Sequence, residues 1–210
     1  MKTCLKLLLV LLLLIAFSCS QESTTDPILE NLTATKVKGK KTRPIKAKLF
    51  NFADPNQTEE NLLLCAPGFP LTRNIIGGNV SHMGKLQQGS GFDEEEGVPI
   101  SGSYGVPTSC IPNDEFASSL STEFDAYYVA ANGDRFVTKE FVTIDFDLEG
   151  FPDYSVGTFT NTLDENGNPI PITIVSGTGR FEGATGHLYF EGATFGPEST
   201  TWELVGEITY

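Results

Sequence analysis

The sequence predicts an all-β fold, an eight-stranded antiparallel β-barrel, and three observations carry that prediction. About eight segments of the chain alternate apolar and polar side chains, so each can bury one face of a strand. The composition is rich in the residues of strands and tight turns, with 21 Gly, 15 Phe and 6 Tyr in 210 residues,. The tripeptide Asn132-Gly133-Asp134 sits between two alternating runs, where Asn and Gly accept positive φ at little cost. Closing the strands into a barrel would bury every apolar face and leave no exposed edge. A two-sheet β-sandwich is the alternative, since periodicity alone does not separate them.

The chain begins with a segment that reads as an export signal. Lys2 and Lys6 precede an apolar run of 11 residues, Leu7 to Phe17, which is short for a membrane span and fits a signal-peptide core. Ala16-Phe17-Ser18-Cys19 resembles a bacterial lipobox, with Phe17 in place of the usual small residue. Residues 1–18 are therefore expected to be removed and Cys19 to be lipidated, the alternative being a plain secretory signal cleaved near Ser18 or Ser20. Several acyl chains on one Cys would hold the protein firmly to a membrane outside the cytoplasm, at the periplasmic face or the cell surface. Residues 19–43, rich in Ser, Thr, Lys and Asn, read as a flexible lipidated tether, and residues 44–210 as the barrel domain.

Within that domain Ile45, Ala47 and Leu49 alternate with Lys46 and Lys48 in a first strand. Residues 53–73 read as loop. A second strand is expected from Ile76 to Leu86, with Ile76, Val80, His82 and Leu86 on one face. Residues 89–122 read as a long connection holding one short strand near Ile100 to Val106. Glu123 to Ala130 then alternates, with Phe124, Ala126, Tyr128 and Ala130 together. After the Asn-Gly-Asp turn, Arg135 to Leu148 puts Phe136, Val142, Ile144, Phe146 and Leu148 on one face and Lys139, Asp145 and Asp147 opposite. Further strands follow at Ser155 to Leu163, Ile170 to Val175, Gly186 to Phe195 and Thr201 to Tyr210. The last places Trp202, Leu204, Ile208 and Tyr210 on one face.

The stretch Ser176-Gly177-Thr178-Gly179-Arg180-Phe181-Glu182-Gly183-Ala184-Thr185-Gly186 resembles the G-G-[ST]-G-x-F-x-x-A-x-G segment of the allene oxide cyclase and dirigent families, with Ser176 at the first Gly. Gly78 to Lys85 and Ala130 to Asp134 resemble segments of secreted bacterial barrel proteins, in the same order along the chain. The resemblance spans about residues 74–210 and implies a calycin-like barrel of eight antiparallel strands. It also implies an alternative function, an isomerase or cyclase acting on a small hydrophobic substrate, but it transfers no catalytic residue. In physical terms Gly177, Gly179, Gly183 and Gly186 read as turn residues. Phe181 reads as a plug for the barrel end.

The charge is −13, and removing Lys2 and Lys6 with the signal makes it −15. Seven basic residues cluster from Lys36 to Lys48, while from Leu49 onward 5 basic residues face 24 acidic ones. Such an acidic body opposes a nucleic-acid partner. The basic cluster reads as solvated tether, or as a partner for the acidic barrel or for anionic lipid. With Cys4 removed and Cys19 lipidated, Cys65 and Cys110 remain, and an exported pair reads as a disulfide rather than two buried thiols. Closing that loop would stabilise by roughly 3–4 kcal/mol in the chain-entropy model.

No metal or cofactor is expected. The two histidines, His82 and His187, show no zinc spacing, with His82 expected to point inward and His187 outward. Asp164 to Asn168 lacks the downstream Glu of a calcium loop and reads as a turn. Glu140 lies on the apolar face between Thr138 and Val142, where burial would raise its pKa. The expectation is a cavity lined by His82, Tyr128 and Glu140 that holds a small apolar or amphipathic ligand. The other prospect is a structural role at the cell envelope.

Overall fold

The structure is a computed structural model that describes residues 39–66, 69–147, 155–196 and 199–210. The expected signal segment, Cys19, the expected tether before Gly39, and Leu148 lie outside the described residues. The compact unit is Lys40–Tyr210.

In chain order the elements are β1 (Thr42–Ala53), a 3-10 turn (Glu59–Asn61), β2 (Leu63–Ala66), β3 (Phe69–Leu71), β4 (Asn74–Val80), β5 (Gly84–Lys85), β6 (Gly91–Asp93), β7 (Val98–Ser101), β8 (Tyr104–Pro112), β9 (Ser119–Val129), β10 (Arg135–Phe146), β11 (Gly157–Asn161), β12 (Ile172–Thr178), a second 3-10 turn (Gly179–Phe181), β13 (Thr185–Phe195) and β14 (Thr200–Thr209). The main sheet runs β1-β14-β13-β11-β10-β9-β8-β4, and β4 pairs back onto β1 from Ala47↔Val80 to Ala53↔Asn74. That last pairing closes an eight-stranded antiparallel barrel and rules out the sandwich. One stave is built from two collinear strands. β11 pairs with the Val142–Phe146 half of β10 and β12 with the Arg135–Lys139 half. Between them the chain makes an excursion, turned at Asp164, whose Oδ1 accepts the N–H groups of Asn166 and Asn168.

Alternation sorts the side chains. In β1, Ile45, Ala47 and Leu49 are buried, while Lys46 and Lys48 face out and pair with Glu203 of β14 at 3.2 and 3.5 Å. In β9, Leu120, Thr122, Phe124, Ala126 and Tyr128 are buried, and Glu123 and Asp125 meet Lys139 outside. A largely apolar interior with a charged exterior is the reverse of the arrangement in a membrane-spanning barrel,.

The structure corrects four sequence expectations. Thr42 and Arg43, expected in the tether, belong to β1, and the backbone of Lys41 just before them exchanges hydrogen bonds with Tyr210. Residues 53–73 contain the β2–β3 hairpin, too short to register as alternation. The strand expected from Ile76 to Leu86 breaks after Val80, turns through Ser81, His82 and Met83, and resumes as β5. The region read as a connection from 89 to 122 holds β6, β7, all of β8 and the start of β9. Pro107 and a register shift between Pro107 and Ser109 mask the alternation of β8, as expected of proline inside a ladder.

Cys65 of β2 and Cys110 of β8 form a disulfide, which ties the β2–β3 hairpin to the barrel wall. One barrel end is filled. There Tyr128 packs on Phe136 with centroids 5.0 Å apart, Phe136 on Phe181 at 5.6 Å, and Phe181 on Tyr210 at 4.9 Å. The turn carrying Phe181 depends on close backbone approach. Gly179 has φ +62° with Asp134 against it, and a Cβ at Gly177 would strike the carbonyl of Phe181, so both places exclude a side chain.

Candidate ligand-binding cavity

The other end of the barrel is hollow. A cavity of about 250 Å³ opens there, walled by strands from around the barrel and rimmed by Leu71 of the β2–β3 hairpin. Small residues make the space. Gly105 of β8 lies beside Ala126 of β9 in register, and both line the cavity. The walls are aromatic and aliphatic, chiefly Phe124, Val142, Phe159, Phe190, Phe195 and Trp202. Phe159 meets Phe190 and Trp202 edge-on, with centroids at 5.2 and 5.8 Å.

Glu140 supplies the one ionisable side chain of the lining. It sits where the filled half of the barrel meets the hollow half, and it is only 6% exposed. Its Oε1 accepts two hydrogen bonds, from Tyr128 Oη at 2.9 Å and from Thr138 Oγ1 at 2.8 Å. Tyr128 is opposite Phe136, and Thr138 is two residues before Glu140, so adjacent inward positions of β9 and β10 deliver all three groups. Among the described residues no donor falls on Oε2, and no cationic side chain pairs with Glu140. Oε2 is also absent from the sealed, unpartnered atoms of the interior, so it is the oxygen turned to the cavity. The indole Nε1 of Trp202 is sealed and has no partner among the described residues.

Burial is the main force on this carboxyl. It raises the pKa from 4.5 to about 7, against the two hydroxyl donors, which lower it, and with Asp125 adding a small upward push,. Burial, and then the charge of Glu140, push the Tyr128 hydroxyl well above its ordinary value, so Tyr128 keeps its proton and donates it.

This shift makes a stability prediction. The folded state binds the Glu140 proton more tightly than the unfolded chain does. Its contribution is therefore complete below about pH 4.5 and is lost as pH rises through about 7,. At 1.36 kcal/mol per pKa unit the loss is on the order of 3 kcal/mol. Glu140→Gln, which cannot ionise, is expected to keep that stability at about pH 8, so that urea unfolding shows a flatter pH profile than wild type. Equal slopes for the two proteins between about pH 5 and pH 8 would contradict this placement of Glu140.

Of the three residues expected to line a cavity, the structure brings two together. Tyr128 and Glu140 are hydrogen-bonded, with Tyr128 beneath the floor and Glu140 on it. His82 does not join them. It is exposed in the turn after β4, at the filled end, with φ +68° and Nε2 3.0 Å from the carbonyl of Pro44. The turn breaks the alternation that would have carried it inward, and Met83 is buried in its place. His187 is exposed on β13. Cys19 lies outside the described residues. Gly177, Gly179, Phe181, Gly183 and Gly186 all lie at the filled end, away from the cavity.

Sequence reasoning missed Thr138 as a partner of Glu140, and the ring set of Phe159, Phe190, Phe195 and Trp202. The signal for Thr138 was available, since residues two apart on a strand share a face. The ring set was not, because it joins Phe159 of β11 to residues of β13 and β14 well beyond it in the sequence. No known protein family matches the chain, and no curated protein or solved structure matches it. The geometry of this cavity is therefore what a functional reading must rest on.

Proposed function

We propose that this is an exported lipoprotein, anchored through Cys19 to a membrane outside the cytoplasm, whose barrel binds a small apolar or amphipathic ligand. The observation that carries the binding reading is the aromatic cavity with one half-satisfied carboxyl on its floor. Concave, mostly apolar sites with a few placed polar groups are the usual form of small-molecule sites. The export signal and lipobox support the location, and the likeness to allene oxide cyclase and dirigent barrels supports a cavity-based role. An isomerase or cyclase would draw on the same carboxyl. The cavity lining offers it no second acid–base group among the described residues, so binding is the preferred function.

The test uses Trp202, the only tryptophan of the chain, as the reporter. Small aromatic alcohols are expected to change its emission saturably. Ala126→Leu, which fills the space beside Gly105, is expected to abolish the change while leaving a cooperative thermal transition. Unaltered titrations in that variant would refute the cavity as the site. For the anchor, Cys19→Ala is expected to move the protein from the membrane fraction to the soluble one. Full retention on the membrane would refute lipidation at Cys19.

A further inference from the structure

The cavity floor presents a problem of charge. Glu140 is 94% buried by difference from its 6% exposure, and Oε1 is already served by two hydroxyl donors that favour the ionised form. Yet no counter-charge stands opposite Oε2 among the described residues. Burying an isolated carboxylate is costly unless it takes up a proton or a cation is brought to it. The other strongly buried carboxylate described, Asp54, has such a partner in Arg73 at 2.7 Å. Glu140 is built like half of an ion pair.

From this we infer, building on the binding function proposed above, that the ligand is a small organic cation: an ammonium group on an apolar body, its N–H bonds directed to Oε2 of Glu140 and its charge faced by the rings of the wall. Three features support that choice of head group. Phe124, Phe159, Phe190, Phe195 and Trp202 surround the space, and ring faces attract ammonium groups, most strongly when water is excluded. The chain is strongly acidic, with 24 acidic and 5 basic residues from Leu49 onward, so its field draws cations in and turns anions away. The volume suits a compact molecule, since an apolar cavity of roughly 150 Å³ is enough to take benzene.

The ion pair requires Glu140 to be ionised, so affinity follows its titration. The groups facing it are Tyr128 and, through its field, Asp125 from β9, and Thr138 on its own strand. The lining residues from β1, β4, β8, β11, β13 and β14 carry no titratable side chain. With the carboxyl at about 7, an alkylammonium gains affinity as pH rises through neutrality, and a neutral analogue of the same shape does not.

The experiment uses the full-length protein, as processed by the expressing cell, in phosphatidylcholine vesicles, with Trp202 emission as the readout. The probes are 2-phenylethylamine, 2-phenylethanol and phenylacetate. At about pH 8 the amine is expected to bind about tenfold tighter than the alcohol, with phenylacetate weakest. Lowering the pH to about 5.5 is expected to weaken the amine several-fold and leave the alcohol unchanged. Glu140→Gln is expected to lose both the preference for the amine over the alcohol and the pH dependence of amine binding. If the alcohol binds as tightly as the amine, or the amine shows no pH dependence, the cation inference is overturned while the cavity remains a binding site. If no probe alters Trp202 emission in wild type at either pH, both readings fall.

Discussion

Arg73→Ala is expected to lower the unfolding free energy by about 3–5 kcal/mol, the range for removing one partner of a buried ion pair. The side chain of Arg73 is 3% exposed and that of Asp54 1%. Its Nη2 and Nε both reach Asp54 Oδ2, at 2.7 and 2.8 Å, and its Nη1 reaches Glu94 at 2.9 Å. The guanidinium also lies over the Phe92 ring, 3.7 Å from its centroid. One planar cation thus joins the segment after β1 to the β6–β7 hairpin, just ahead of β4. Without it, Asp54 remains a buried charge with no counter-ion, and that residual charge is the larger part of the cost. Arg73→Lys restores charge but not the fork or the stack, so it is expected to recover only part of the loss. Arg73→Met combined with Asp54→Leu is expected to lose much less than Arg73→Ala, because no lone charge is left inside. Urea unfolding of the four proteins at about pH 7 checks this order. A double variant as unstable as the single one would mean that shape, and not charge, holds this corner.

Phe181→Ala is the second large effect, also expected at about 3–5 kcal/mol. Phe181 is fully buried and meets Phe136 at 5.6 Å and Tyr210 at 4.9 Å, both edge-on. It reaches that position from a turn that leaves the sheet after Thr178 and returns at Thr185, so no neighbouring strand can close the gap that alanine would leave. Phe181→Leu keeps most of the volume and is expected to cost far less. The ligand site lies at the other end, so saturable probe binding should persist in whatever fraction of either variant stays folded. Loss of binding in a fully folded Phe181→Leu protein would mean that the two ends are coupled.

How much of this was legible in advance follows the physical range of each signal. Strands β1, β9, β10, β13 and β14 were readable because long alternation is a local property of the chain. The tripeptide Asn132-Gly133-Asp134 located the β9–β10 hairpin for the same reason. β8 was hidden by Pro107 and by its register shift, and β2–β3 by its brevity. The inward side of Glu140 and Tyr128 came from parity. His82 was misplaced by that same parity, because three turn residues reset the count. The Cys65–Cys110 pair came from counting cysteines, whereas its task of holding the cavity-rim hairpin required the fold.

The sequence by itself determined the all-β class, the acidic body and which face of each long strand is apolar. These are properties of neighbours along the chain, and periodicity and composition record them directly. Only the tertiary structure decided that the sheet closes through β1 and β4, that one half of the barrel is packed while the other is hollow, and that Glu140 keeps one oxygen without a partner among the described residues. Each of these depends on side chains from strands far apart in sequence meeting in a shared interior. Whether the volumes arriving there fill the space, as around Phe136 and Phe181, or fall short of it, as beside Gly105 and Ala126, is a sum over distant residues that no local pattern carries.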